Sequence, residues 1–172
     1  MLTEAESPEG RGESAPRPNG SIDPRLVFSN VPGSSREEVL MELATLVADR
    51  GYAPDARELA RRLLERERLG CTGLGSGIAI PHCKLPDIDR VAVAVASTQN
   101  PIDFGAPDGR PVDLVFLVVS PANGAAAHLQ ALARVSRLLR VPGVAEGLRQ
   151  ADSRERLLDV IREAEAGLPV AP

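Results

Sequence analysis

The chain has 172 residues, of which 43% are hydrophobic, 26% charged and 2% aromatic, with a formal net charge of −4 and a pI near 5.3. This is room for one ordinary domain and a tail, with a core of Leu, Val, Ile and Ala; the acidic balance argues against a nucleic-acid partner, which calls for a basic face. The longest strongly apolar run, Leu114 to Val119, falls far short of the ~20 residues that cross a bilayer, so no direct membrane insertion is expected, and two cysteines without a signal-like N-terminus make a cytoplasmic, reducing compartment the expectation.

Residues 1–21 carry Pro8, Pro16 and Pro18 and no hydrophobic period, and are expected to form a disordered tail. One folded domain is expected over 22–165, with 166–172 a flexible C-terminus. It opens on a short strand, Leu26 to Phe28, and a turn at Pro32-Gly33. A helix over 36–49 follows, with Ser35 and Glu38 as a capping box and Val39, Leu43, Leu46 and Val47 as one apolar stripe. In a second helix, 55–68, Leu59 and Leu63 face inward and Arg66 lies on the same side near the C-terminal end. The other arginines of that helix, interleaved with glutamates, read as a solvated face.

The run 72–80 predicts two short strands, 72–74 and 78–80, around a tight turn. Its glycines at 73, 75 and 77 lack both the Lys-Ser/Thr ending of a P-loop and the strand-then-helix setting of a dinucleotide fold. Residues 91–97 alternate large and small side chains, as in a strand whose two faces meet different neighbours. After the Asp108-Gly109 turn, Leu114 to Val119 reads as a central strand covered on both faces. Helices at 125–140, 142–150 and 153–164 complete the domain, the last capped by Asp152 or Ser153. The fold class is α/β, a small mixed sheet with helices packed on both faces.

The chain has two histidines. His82 directly follows Gly77-Ile78-Ala79-Ile80-Pro81, where a stiff strand end projects a ring into a loop, a common place for a reactive side chain. His128 stands in the first turn of its helix, in a row with Leu132, Val135 and Leu139 that faces the protein. The positive end of the helix dipole disfavours the imidazolium there and leaves a neutral ring able to donate one N–H. The same placement suits a histidine that only fills the helix–sheet seam.

Several segments occur together in order: Arg66-Glu67-Arg68-Leu69-Gly70-Cys71-Thr72-Gly73, Gly77 to His82, Pro111-Val112-Asp113-Leu114-Val115-Phe116, and His128-Leu129 at the start of a Leu-rich helix. Together they resemble the enzyme IIA domain of the fructose/mannitol class of the bacterial phosphoenolpyruvate-dependent phosphotransferase system, closest in layout to its nitrogen-regulatory form. The resemblance covers roughly residues 22–165. It implies that His82 accepts a phosphoryl group from the phosphohistidine of a small histidine phosphocarrier protein, that the histidine matched by His128 stabilises the group, and that Arg66 belongs to the same site. An Arg fork, an imidazole N–H and backbone N–H groups supply the positioning and charge that phosphoryl transfer needs, with no metal or other cofactor. Lys84 either attracts the phosphoryl group or simply faces solvent.

The chain departs from the family pattern at Cys83, where glycine is usual, and at Cys71, where serine is common. If position 83 needs a positive φ or close approach of the carrier, a cysteine there slows transfer. If the 72–74 and 78–80 strands pair, Cys71 and Cys83 fall nearly opposite each other, and a regulatory disulfide competes with two unrelated thiols. Leu74, Ile78 and Leu85 are expected to form an exposed apolar patch that grips the carrier. Partners are then regulatory target proteins, or a IIB component if the chain serves sugar transport. A third reading keeps the fold as an interaction module without phosphotransfer.

Overall fold

The structure, a computed structural model, describes residues 21–169. The tail expected over 1–21 and the end of the stretch expected to be flexible over 166–172 thus lie largely outside the described residues. The described chain enters through a 3₁₀ turn, Pro24–Leu26, whose Asp23 cap accepts from the Arg25 N–H. Strand β1 (Val27–Val31) follows, so the strand begins one residue later and ends three later than expected. Pro24 presets the turn, and Leu26 closes it by donating to the Asp23 carbonyl at 2.8 Å.

Helix α1 (Arg36–Asp49) begins at the Ser35 cap, whose hydroxyl accepts the Glu38 N–H at 3.2 Å. The expected capping box closes differently, because the Glu38 carboxylate bonds back to the N–H and hydroxyl of Ser34, each at 2.8 Å. Val39, Leu43 and Val47 are buried as expected, with Leu40 and Ala44 beside them, whereas Leu46 sits at the margin. Helix α2 (Ala56–Arg68) is capped by Asp55 and buries Leu59, Leu63 and Glu67, a row spaced by four.

Strands β2 (Gly73–Gly75) and β3 (Ile78–Ala79) form the expected antiparallel hairpin. Its turn needs glycine at 77. There φ is +78°, and a Cβ would stand 2.7 Å from the Arg149 guanidinium and 2.9 Å from the Asp113 carboxylate. Three strands remain: β4 (His82–Leu85), β5 (Ala92–Ile102) and β6 (Val112–Pro121). Both long strands outrun the expected 91–97 and 114–119. In β5 the register shifts between Ser97 and Ile102 and residues 99–101 are exposed, so no burial period marks that extension.

The sheet order is β1-β5-β6-β3-β2, with β4 also paired to β6. Ile78 pairs with Leu114 and His82 with Val118, the same offset, so β3 and β4 are two pieces of one line running parallel to β6. Pro81, which has no N–H to give, interrupts that line, although its carbonyl still accepts from Val118 at 2.9 Å. Helices α3 (Ala125–Leu139), α4 (Val144–Gln150) and α5 (Arg154–Ala166), the last capped by Ser153, pack on one face against Val93, Val95, Phe116 and Val118. On the other face α1 and α2 pack against Ala92, Ala94, Ala96, Leu117 and Val119. The Val/Ala alternation of β5 thus divides between two cores, and β6 is covered on both sides, as its sequence predicts.

Candidate functional site

His82 is the first residue of β4 rather than part of a loop, which corrects the sequence expectation: Pro81 interrupts the strand line without ending it. Among the described strands β4 pairs only with β6, so the ring stands at a sheet edge, within reach of both helical layers. Arg66, in the last turn of α2, comes from one layer and donates through Nε to His82 Nε2 at 3.2 Å. Its Nη1 donates to the Gly70 carbonyl at 2.9 Å. His128, in α3, comes from the other layer, and the two imidazole centroids lie 5.5 Å apart with planes tilted by 51°. The structure therefore brings His82, His128 and Arg66 together.

His82 Nδ1 lies 2.8 Å from the Ile80 carbonyl oxygen. A carbonyl can only accept, so the ring proton is on Nδ1 and Nε2 carries the lone pair. The Arg66 N–H meets that lone pair. His128 is 8% exposed, and its Nδ1 lies 2.8 Å from the Ser120 hydroxyl oxygen. Burial pushes its pKa below the ordinary histidine value, and the nearby charges of His82 and Lys84 push the same way. The ring is therefore disposed to be neutral, as expected from its sequence position, with burial as the leading cause. The buried stripe of α3 is His128, Ala131, Arg134, Val135 and Leu138, with Leu132 and Leu139 at its margin, so His128 and Val135 face inward as expected while the rest of the row is rotated.

Lys84 is exposed and, two residues along β4 from His82, shares its side of the strand; it pairs in register with Ser120. Cys83 points the opposite way, into the core with Leu59 and Leu63. Burial pushes its thiol up to about 12, against a weaker opposing pull from the charge of Arg62.

Residues 21–164 match the family described as phosphoenolpyruvate-dependent sugar phosphotransferase system, EIIA 2. The chain belongs to this enzyme IIA family. It is 39% identical over 140 residues to the nitrogen regulatory protein of Bradyrhizobium diazoefficiens, covering 81% of this chain and 91% of that one. It is 37% identical over 138 residues to the fructose-specific EIIA component of Haloferax volcanii, covering 80% and 90% of the two chains. The crystal structure of nitrogen regulatory protein IIA-Ntr from Neisseria meningitidis superimposes with a TM-score of 0.74 at 28% identity, over 82% of this chain and 96% of that one.

The two departures from the enzyme IIA pattern have plain structural outcomes. Cys83 is absent from the residues with positive φ and lies in extended strand, so its side chain brings no backbone strain. Both cysteines are free. Hairpin pairing of Gly73 with Ala79, and the bond from Ile80 N–H to the Thr72 carbonyl, put Cys71 opposite Pro81 rather than Cys83. Cys71 instead places its Sγ 2.9 Å from the Phe104 carbonyl oxygen. The expected apolar patch is also corrected. Leu74 is 58% exposed, but Ile78 and Leu85 are 7% and 2% exposed and serve the two cores. The exposed apolar side chains flanking the site are Leu69, at the end of α2, and Leu129, next to His128.

Sequence reasoning missed three supports of the site. Glu67, taken with the solvated face of α2, is 4% exposed; its carboxylate accepts from the Thr72 N–H at 3.3 Å and from the Thr72 hydroxyl. This pins the 69–72 segment whose Gly70 carbonyl receives Arg66. The Leu59, Leu63, Glu67 spacing already carried that signal. Ser120 and the Ile80 carbonyl had none beyond strand alternation. Among the described residues no helix is long and apolar enough to cross a membrane.

Proposed function

We propose that the chain is a phosphoryl acceptor and donor protein in which His82 Nε2 attacks the phosphohistidine of a small phosphocarrier protein. The observation that carries this reading is the pair of bonds on the His82 ring: Nδ1 held by a carbonyl and Nε2 presented beside Arg66. In the transfer the Arg66 N–H lets go of the Nε2 lone pair and turns to the incoming phosphoryl oxygens, and that lone pair forms the new N–P bond. The donor's P–N bond breaks, and its electron pair returns to the donor imidazole. The His82 Nδ1 proton stays against the Ile80 carbonyl, so no separate base is required. Arg66 and His128 are the groups that offset charge on the phosphoryl oxygens, and Lys84 adds a positive charge at the mouth of the site.

Incubation with phosphoenolpyruvate, enzyme I and the carrier should give an acid-labile, base-stable phosphate on the parent chain and none on His82→Ala. A label that persists in that variant would overturn the reading. Loss of the phosphate to an added IIB component would identify a sugar-transport role, supported by the resemblance to a fructose-specific component. Retention in its presence supports a regulatory role, in which the phosphorylation state is read by target proteins; the resemblance to nitrogen regulatory proteins favours this second role.

A further inference from the structure

His82 and His128 are each held through Nδ1, but by partners of opposite hydrogen-bonding character. The Ile80 carbonyl can only accept. The Ser120 hydroxyl can do either, and its direction is fixed by what surrounds it. Ser120 is 0% exposed, at the C-terminal part of β6 beneath α3, so water does not compete for it. Among the described residues His128 Nδ1 is the one side-chain-compatible acceptor recorded for its proton. If Nδ1–H donated to Ser120, the buried hydroxyl proton would be left without an acceptor, an expensive vacancy in a dry site. With the hydroxyl donating to Nδ1, the proton is satisfied and the imidazole must carry its own hydrogen on Nε2.

We infer that Ser120 is a positioning residue that fixes His128 as the Nε2–H tautomer and so gives the site a hydrogen-bond donor on the ring that neighbours the unprotonated Nε2 of His82. The two rings then hold opposite tautomers within 5.5 Å: a nucleophile made by an acceptor behind it, and a donor made by a donor behind it. A neutral donor at this place can bond a phosphoryl oxygen without surrendering a proton to it. His128 donates from Nε2, while its Nδ1 remains occupied by Ser120. The inference rests on the assignment of His82 and His128 to the phosphoryl site. It concerns a residue, Ser120, that acts only through His128.

The test is a long-range ¹H–¹⁵N spectrum of the imidazoles in the unphosphorylated parent at mildly alkaline pH, together with rates of carrier-dependent phosphorylation. The expected spectrum shows His128 protonated on Nε2 and His82 on Nδ1. Ser120→Ala should mix the His128 tautomers and slow phosphorylation by about tenfold, a partial loss of one transition-state donor. Ser120→Thr, which keeps the hydroxyl, should restore both. In a His128→Ala background, Ser120→Ala should have no further effect on the rate. A parent spectrum with the His128 proton on Nδ1 would overturn the inference, and so would an unchanged rate in Ser120→Ala. Because the spectrum needs no phosphate, failure of the parent to phosphorylate would refute the proposed function and leave the tautomer result to be read separately.

Discussion

At the scale of single residues, the site depends on which atom of each ring holds a proton. His128 is more reluctant to protonate in the folded chain than in the unfolded one, because it is buried and lies near His82 and Lys84. As pH falls through the ordinary histidine value of 6.5, the unfolded chain takes up this proton first, so His128 withdraws stability until the folded ring also titrates. His128→Gln should therefore show a shallower loss of stability between about pH 7 and pH 5 than the parent, measured by urea unfolding at each pH. Parallel curves would contradict that account. Arg66 contributes at the same scale by geometry: Nε meets His82 while Nη1 is tied to Gly70, a fork that lysine cannot reproduce.

At the scale of elements, β4 turns the departure at Cys83 away from the His82 ring. Strand alternation sends His82 and Lys84 to one side and Cys83 and Leu85 to the other, where they pack against α2. Cys83→Gly should leave the phosphorylation rate unchanged and destabilise the fold by about 1–2 kcal/mol, from a lost buried side chain and a freer backbone. Chemical denaturation and initial rates check the two halves; faster transfer in the glycine variant would show that the thiol obstructs the carrier. Element types were legible because Ser35, and Asp152 or Ser153, mark helix starts and apolar periods mark strands and helices. The ends of β5 and the continuation of β3 into β4 were not, because neither a register shift nor pairing across a proline leaves a periodic trace.

At the scale of the whole molecule, an edge strand lets two helical layers converge on one imidazole. His82, His128 and Arg66, which the fold brings together, could be picked from the sequence through the family motifs. Glu67 was masked by the charged face of its helix although its spacing from Leu59 and Leu63 marked it, and Ser120 lies outside the motifs, so its bond to His128 shows only in the assembled packing. Packing likewise decides which apolar side chains are left for a partner: Ile78 and Leu85 are claimed by the core, and Leu69 and Leu129 remain exposed at 85% and 66%. Leu69→Asp with Leu129→Asp should slow carrier-dependent phosphorylation by roughly tenfold, a loss of about 1.4 kcal/mol of docking, without lowering the melting temperature. Equal rates for variant and parent would move the docking surface elsewhere.

Under the proposed function the phosphate resides on Nε2 of His82, because the Ile80 carbonyl holds the proton on Nδ1. Phosphorus–nitrogen coupling in the ¹⁵N-histidine-labelled, phosphorylated protein reads this directly. A single N–P coupling is expected, to His82 Nε2, with Nδ1 still protonated. Coupling to His82 Nδ1, or to either nitrogen of His128, would contradict it.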